Sequence, residues 1–444
     1  MWDIVDFSHM SKKNEDASKP SVGFLPCFYS IGEALPVVNI AKEYTDMGGS
    51  AVFFSHGGKY EDLLEDFDAD IIHLNDIWER ARIDSDEFFK KGHKFYKLVK
   101  TLYTPENIRR CVDEEIKAFR ETDIDMIVCS FNLSVTISAK VVNIPQVAVV
   151  SGTAIPPYYE EWATFVDNFK NVFTRMIPDS VMDRFIRWYL RNNKLLGVPS
   201  FNKVAPEYGV EKFRTYEDIY CGERSLVCDD LSYLNISPTH QFPEENFIGP
   251  IVYGDPLDFH PESVDEDVKD HIQREGRSIV VVMGSTGVKD IFLDMVDTLD
   301  KTSYNVIFAY TNLLSQDELP EVNENILFKE FVSLADVSKM TDLAITHGGR
   351  GTVQTLAYSG KPAICVPMFI EHQYNVENMV RQGTTIKVPK KHFSTEDMME
   401  GIEKIFGDYQ RYLKNARRVK DRLPDELGEK KGARRIKEMA AELH

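Results

Sequence analysis

Short runs of apolar and β-branched residues recur along this chain, separated by segments of helical length, and the alternation persists through most of the sequence. That pattern is the signature of parallel sheets covered by helices. Strands buried on both faces need no polar alternation, and each crossover must be long enough to return the chain to the same edge. In the first half, strands are expected at 22–27, 51–55 and 70–74, with a helix over 33–45. A long helical region over 86–120 follows, then strands at 126–129 and 146–150. Further strands are expected at 225–228 and 246–248, and in the second half at 279–283, 305–310, 343–346 and 363–366. Helices fit 289–299, 351–358, 374–381, 395–406 and the charged C-terminal stretch.

At 444 residues the chain exceeds one ordinary core and fits two domains. Gly249-Pro250 opens a stretch rich in Pro, Asp and Glu, which marks a linker over 249–275 between domains at 1–248 and 276–444. The last helix is free to pack back on the first domain. Residues 156–220 break the rhythm: they are aromatic-rich without a clear strand, and predict a helical insertion.

Net charge is −19, from 52 Lys and Arg against 71 Asp and Glu, which excludes general nucleic-acid binding. Six scattered cysteines show no metal-ligand spacing and read as buried thiols, so no metal is expected. No basic-then-apolar leader and no run of about 18 apolar residues occurs. A cytoplasmic location is therefore expected.

The sharpest local signal is Thr346-His347-Gly348-Gly349-Arg350-Gly351-Thr352, set between an apolar strand and a helix. Glycines at such a bend let main-chain N–H groups converge on an anion, and the helix N-terminus adds positive potential. His347 and Thr352 offer side-chain donors there, and Arg350 adds charge. Glycine spacing alone is equally that of a tight turn.

Context decides between the two. After Gly360-Lys361-Pro362 come a strand, then Phe369-Ile370-Glu371-His372-Gln373-Tyr374-Asn375 and a helix. Together these segments resemble the donor-binding signature of the family 1, UDP-glycosyltransferase-type enzymes. The resemblance implies the GT-B fold, in which two Rossmann-like domains face each other across a cleft. It implies a nucleotide diphosphate-sugar, taken as a UDP-sugar, as substrate rather than resident cofactor. Its diphosphate would lie on His347 and the amides of Gly348 to Thr352, with Ser285 reaching from the facing turn. Gln373 would bond sugar hydroxyls, beside Asn375. Phe331 and Val332 stand where the family packs the base. Two positions depart: Thr355 replaces a ribose-binding glutamate, and His372 replaces an acid before the glutamine. Glu371, adjacent to it, is expected to point elsewhere.

The first loop, Ser30-Ile31-Gly32-Glu33-Ala34-Leu35-Pro36, resembles the family's turn that carries a histidine base, but Glu33 holds the histidine's position. Ser130 stands where the partner aspartate is expected. The two departures agree physically, because a carboxylate base beside a second carboxylate would have its pKa pushed up by repulsion. The alternative is that Glu33 only charges the first helical turn. His56 and His73 are rival bases.

From Phe88 to Lys100 runs a segment rich in Lys and aromatics without an acid. It is either a solvated helix face or a peripheral membrane contact. These features predict inverting transfer of a sugar to an apolar or lipid-like hydroxyl acceptor. A non-catalytic nucleotide-sugar-binding scaffold and a GT-B epimerase are the alternatives.

Overall fold

The computed structural model describes residues 20–65, 67, 71–74, 95–162, 176–178, 180–182, 184–185, 188, 197–284, 287–311, 313–391 and 393–443. The first sheet contains β1 (Ser21–Leu25), β2 (Ser50–Ser55), β3 (Ile71–His73), β4 (Met126–Cys129), β5 (Gln146–Val150) and β6 (Arg224–Val227). The second contains β7 (Ser278–Val282), β8 (Asn305–Ala309), β9 (Ile326–Lys329), β10 (Leu343–Thr346), β11 (Ala363–Cys365) and β12 (Thr385–Lys387). Both are six-stranded, in the orders β3-β2-β1-β4-β5-β6 and β12-β11-β10-β7-β8-β9. Every strand pair is parallel.

In each sheet the order reverses at one place, between β1 and β4 in the first and between β7 and β10 in the second. Chain leaving adjacent strands there turns to opposite faces, so a crevice opens beyond the strand ends. Four helices set the frame around these crevices. They are α1 (Ile31–Asp46), which follows β1, α2 (Arg350–Ser359), which follows β10, α3 (Ile370–Arg381) and the C-terminal α4 (Gly428–Ala441).

Each sheet has its own apolar core. A further cluster is shared: Ala357 and Tyr358 of α2 and Tyr374 of α3 pack with Tyr158, Tyr159, Tyr233 and Leu234 of the first lobe. The lobes are thus joined by apolar burial, the main favourable term in such association. Helix α4 crosses back: Ala433, Ile436, Met439 and Ala440 lie in the core with Val22 and Phe24. Gly432 permits that crossing, since a Cβ there would stand 2.9 Å from Ile40 Cγ1.

Several expectations need correction. The long helix ends at Leu102, and Pro105–Thr122 begins afresh. Thr104 accepts the Asn107 amide as a cap, and Pro105 at the first helical position cannot continue a preceding helix. The strand at 246–248 is absent. A short 3₁₀ turn, Glu244–Asn246, is followed by one isolated bridge from Val227 to Phe247. Strands β9 and β12 and the helix Leu334–Met340 were not foreseen. Most of the basic run beginning at Phe88 lies outside the described residues, which resume at Phe95 in a helix to Leu102. Of the insertion, the helices Pro156–Trp162, Val198–Val204 and Glu217–Tyr220 are described. Among the described residues no helix is long and apolar enough to cross a membrane.

Candidate active site

Strand β10 is buried throughout and delivers His347 to the second lobe's crevice. Gly348 turns the chain at φ 81°, and a Cβ there would stand 2.4 Å from Val376 Cγ2. Across the crevice Gly284, at φ 59° beyond β7, lies against the same imidazole; its Cβ would meet His347 Cε1 at 2.4 Å. A Cβ on Gly349 would come within 2.6 Å of His347 Nε2. Gly284 and Gly349 therefore make a slot for one ring and Gly348 clears Val376, which explains the clustering better than loop flexibility does.

Burial pushes the His347 imidazole down to about 3, with His372 adding to the shift and Glu371 and a hydrogen bond to the Val282 carbonyl opposing it. His372 packs edge-on against His347 at 4.7 Å and takes the Met368 amide on Nδ1. Burial holds it down to about 3 as well, helped by Lys390. Both rings are neutral near pH 7, so this pair can be enclosed without charge repulsion.

Gly349 caps α2 with extended backbone and no side-chain hydrogen bond. The ladder starts with the Val353 amide on the Gly349 carbonyl, at 3.0 Å. The amides of Arg350, Gly351 and Thr352 precede that first bond and receive no side-chain cap. Nothing lies within 4 Å of where a Gly351 Cβ would be, so this N-terminus opens to unfilled space. Thr352 is half-buried beside it. Thr355 folds back onto the Gly351 carbonyl at 2.9 Å, so its hydroxyl serves the helix.

Arg350 does not extend along this surface. It is buried, and its guanidinium crosses to the first lobe, donating to the Gly32 carbonyl at the start of α1. One residue on is Glu33, in the first turn of α1. Burial raises the Glu33 carboxyl from 4.5 to about 6; Glu371 adds to the shift, while Arg350 and the Phe131 amide oppose it. The base proposed from sequence therefore stands in the other crevice, where the loops after β1 and β4 meet. Ser130 is engaged elsewhere: its hydroxyl accepts the Cys27 amide at 3.0 Å, fixing the loop before α1. Asn132 braces the same loop through the Leu25 carbonyl at 2.9 Å. Tyr216 and Tyr220 stack at 5.6 Å beside the carboxylate, and burial and the Glu33 charge raise both phenols.

Glu371 departs from expectation. Its Oε1 accepts from Asn375 at 3.0 Å, and its charge acts on Glu33, Arg350 and His347. Asn375 also holds the Gly348 carbonyl at 3.2 Å and accepts from the Thr153 hydroxyl of the first lobe. Gln373 is buried in the same turn of α3. Phe331 is 58% exposed and meets Tyr253 of the linker edge-on at 5.9 Å, whereas Val332 is buried in the core. Ser285 lies outside the described residues. His56 is engaged with Glu115 at 2.9 Å, and Ser134 and Ser138 complete that buried group. His73 sits exposed on edge strand β3, 3.4 Å from Glu61.

Sequence reasoning missed Asp229. It is buried just beyond β6, accepts the Gly152 amide at 2.8 Å and accepts from Gln354 of α2 at 2.6 Å. Burial raises its carboxyl to about 6, against the pull of Gln354, Arg350 and the Gly152 amide. The usable signal was Gln354, which lies one helical turn from Arg350 and so on the same face of α2. Among the described residues, the one group able to gather metal-ligating atoms is Asp255, Asp258 and His260, exposed on the linker.

Two parallel-sheet lobes with facing switch points, joined through α2, α3 and a returning C-terminal helix, are the GT-B glycosyltransferase architecture. The glycotransferase of kitacinnamycin superposes with a TM-score of 0.66 at 14% identity, over 96% of this chain and 99% of that one. Residues 278–436, which include the glycine turn, match the glycosyltransferase family 28 C-terminal domain. The chain is 20% identical over 337 residues to the PGL/p-HBAD biosynthesis glycosyltransferase of Mycobacterium tuberculosis, covering 73% of each. It is 23% identical over 264 residues to UDP-glucuronosyltransferase 3A1 of Xenopus laevis, covering 56% of this chain and 47% of that one.

Proposed function

We propose that this protein is an inverting glycosyltransferase that moves a sugar from a UDP-sugar to the hydroxyl of an apolar acceptor, with Glu33 as general base. The observation that carries the reading is the pairing of opposite chemistries at the two switch points. Uncapped amides open α2 in one lobe, and a carboxylate with a raised pKa opens α1 in the other, the two helices joined by Arg350 on Gly32. The matched domain and the names of the glycosyltransferase relatives support it. The choice of UDP rests on the family 1 motif and on the Xenopus relative.

In the proposed reaction the diphosphate sits on the amides of Gly348 to Thr352. Its leaving-group charge is stabilised by those fixed dipoles and the α2 N-terminus. His347 already spends a proton on the Val282 carbonyl. Its second nitrogen becomes a donor when the incoming negative charge raises its pKa. Phe331 and Tyr253 offer a stacking face for the base, and Gln373 reads the sugar. Glu33 removes the acceptor proton as the oxygen attacks the anomeric carbon from the side opposite the diphosphate, giving inversion. A carboxyl near 6 is well suited to that work at neutral pH.

The test is incubation with UDP-glucose, UDP-N-acetylglucosamine and dTDP-glucose, with and without a pool of phenolic and lipid alcohols, following nucleotide diphosphate release. Acceptor-dependent release that disappears in Glu33→Gln supports the assignment. Tight binding without turnover against every acceptor would make the protein a nucleotide-sugar scaffold instead.

A further inference from the structure

Helix α1 contains Pro36. In a regular helix the amide at 36 bonds the carbonyl of residue 32, and proline has no such amide, so the Gly32 carbonyl is left without its helical donor. The group that reaches it is the Arg350 guanidinium, from the first turn of the facing helix α2. One turn along, Gln354 grips Asp229 and the Cys228 carbonyl, at 2.6 and 2.7 Å. One face of α2 is therefore pinned to the first lobe at two points, and the nearer pin ends on the residue before Glu33.

We propose that Arg350 is a positioning residue of the transfer step. It ties the turn that receives the donor diphosphate to the turn that carries Glu33, and supplies the positive charge that faces the base. This rests on the assignment of Glu33 as base, and it departs from a role for Arg350 on the phosphates themselves. The proline and the arginine work as a pair: the first vacates a carbonyl, and the second uses it as a fixed mooring for a charge across the cleft.

The surroundings of Glu33 define what the charge does. Facing it are Arg350 and Glu371 from the second lobe, and Cys27, Tyr216, Tyr220 and Cys228 from the first, with the Phe131 amide bonded to it. Arg350 alone among these is a cation. Burial works against the guanidinium, yet Cys228, Glu33, Asp229 and Glu371 around it more than offset that and hold it charged. It has no ion pair with Glu33; its carbonyl bond fixes it at a distance, so the charge tempers the base without neutralising it.

The experiment compares Arg350→Gln, which removes the charge, with Arg350→Lys, which keeps it. The Glu33 carboxyl, raised to about 6, should set the acid limb of kcat/KM in wild type. In Arg350→Gln the limb moves up by about one pH unit, with donor KM changed less than threefold, because an opposite charge of this kind lowers a carboxyl by roughly that much. Arg350→Lys keeps the limb near the wild-type position. Carbon-13 carboxyl titration of Glu33 in the unliganded variants, assigned with Glu33→Gln, should show the same displacement and needs no turnover. A donor KM raised tenfold or more with an unmoved limb would place Arg350 on the phosphates and overturn the proposal. So would Lys and Gln variants that shift alike, or a Glu33 titration indifferent to both. Should wild type catalyse no transfer while the Glu33 titration still follows Arg350, the base assignment fails and the electrostatic coupling stands.

Discussion

The turn after β1 and the turn after β10 share a plan and carry opposite chemistries. Each follows a buried central strand at the switch point of a parallel sheet, and each opens a helix whose N-cap makes no side-chain hydrogen bond. In the second lobe glycines strip the bend to bare backbone, leaving donors for an anion. In the first lobe the turn on the other arm of the switch point, after the first strand of the sheet rather than the fourth, carries an anion of its own, Glu33. A helix N-terminus favours negative charge, and alone would keep that carboxyl acidic. Burial between the lobes outweighs it and the carboxyl moves up to about 6. Under the proposed function, turns on opposite arms of two like switch points serve as a phosphate cradle where the local sequence is bare backbone, and as a proton acceptor where it carries a carboxylate.

Changing either turn tests the contrast. Glu33→Gln keeps the shape and removes the proton acceptor, so transfer should fall by about 10²–10⁴-fold with donor affinity unchanged, read as kcat against donor Kd. The complementary change, Gly348→Ala, strains a φ of 81° and pushes a Cβ to 2.4 Å from Val376 Cγ2. Strain of this kind costs roughly 1–3 kcal/mol. Donor affinity should drop at least about tenfold by calorimetry, with the far lobe intact. His347→Ala leaves the amides and deletes one donor, for an expected loss of about tenfold to a hundredfold in donor affinity, within the range for a charge-assisted hydrogen bond.

Asp229→Asn is the mildest change and reads out through stability. The Asp229 carboxyl is raised from 3.8 to about 6 in the fold, so the native state binds its proton more tightly than the unfolded chain does. That contribution is greatest below the unfolded value and is lost as pH rises through about 6. In the asparagine variant the fall in melting temperature across that interval should flatten. An unchanged slope would assign the dependence to other groups, Glu33 first among them.

The two turns also differ in how openly the sequence declared them. The glycines and His347 were legible because they answer to local geometry: positive φ at Gly348 and close approach at Gly284 and Gly349 demand glycine wherever this bend occurs. The positions of most strands were equally open, since buried parallel strands are continuous apolar runs. Strand β12 was hidden because Thr385–Lys387 is three residues long and lacks such a run. What stayed closed was the partnership across the cleft. Arg350 read as a phosphate ligand from its neighbours, but its partner Gly32 is 318 residues away in sequence. Glu371 was expected to turn aside, and the bond from Asn375 one turn later keeps it among the cleft charges. Asp229 gave no local cue at all, because its meaning depends on Gly152 and Gln354 arriving from elsewhere. Pro36 was plain in the sequence, yet a missing amide matters only once something else is seen to take the carbonyl.

The claim underlying all of this is that the uncapped amides opening α2 hold the donor diphosphate. It is tested most directly by titrating nitrogen-15-labelled protein with UDP and following the amides of Gly348, Gly349, Gly351 and Thr352. The account predicts that these signals shift together and saturate on one isotherm, and that uridine, which lacks the diphosphate, fails to reproduce the effect. Saturable UDP binding that leaves those four amides unmoved would contradict it.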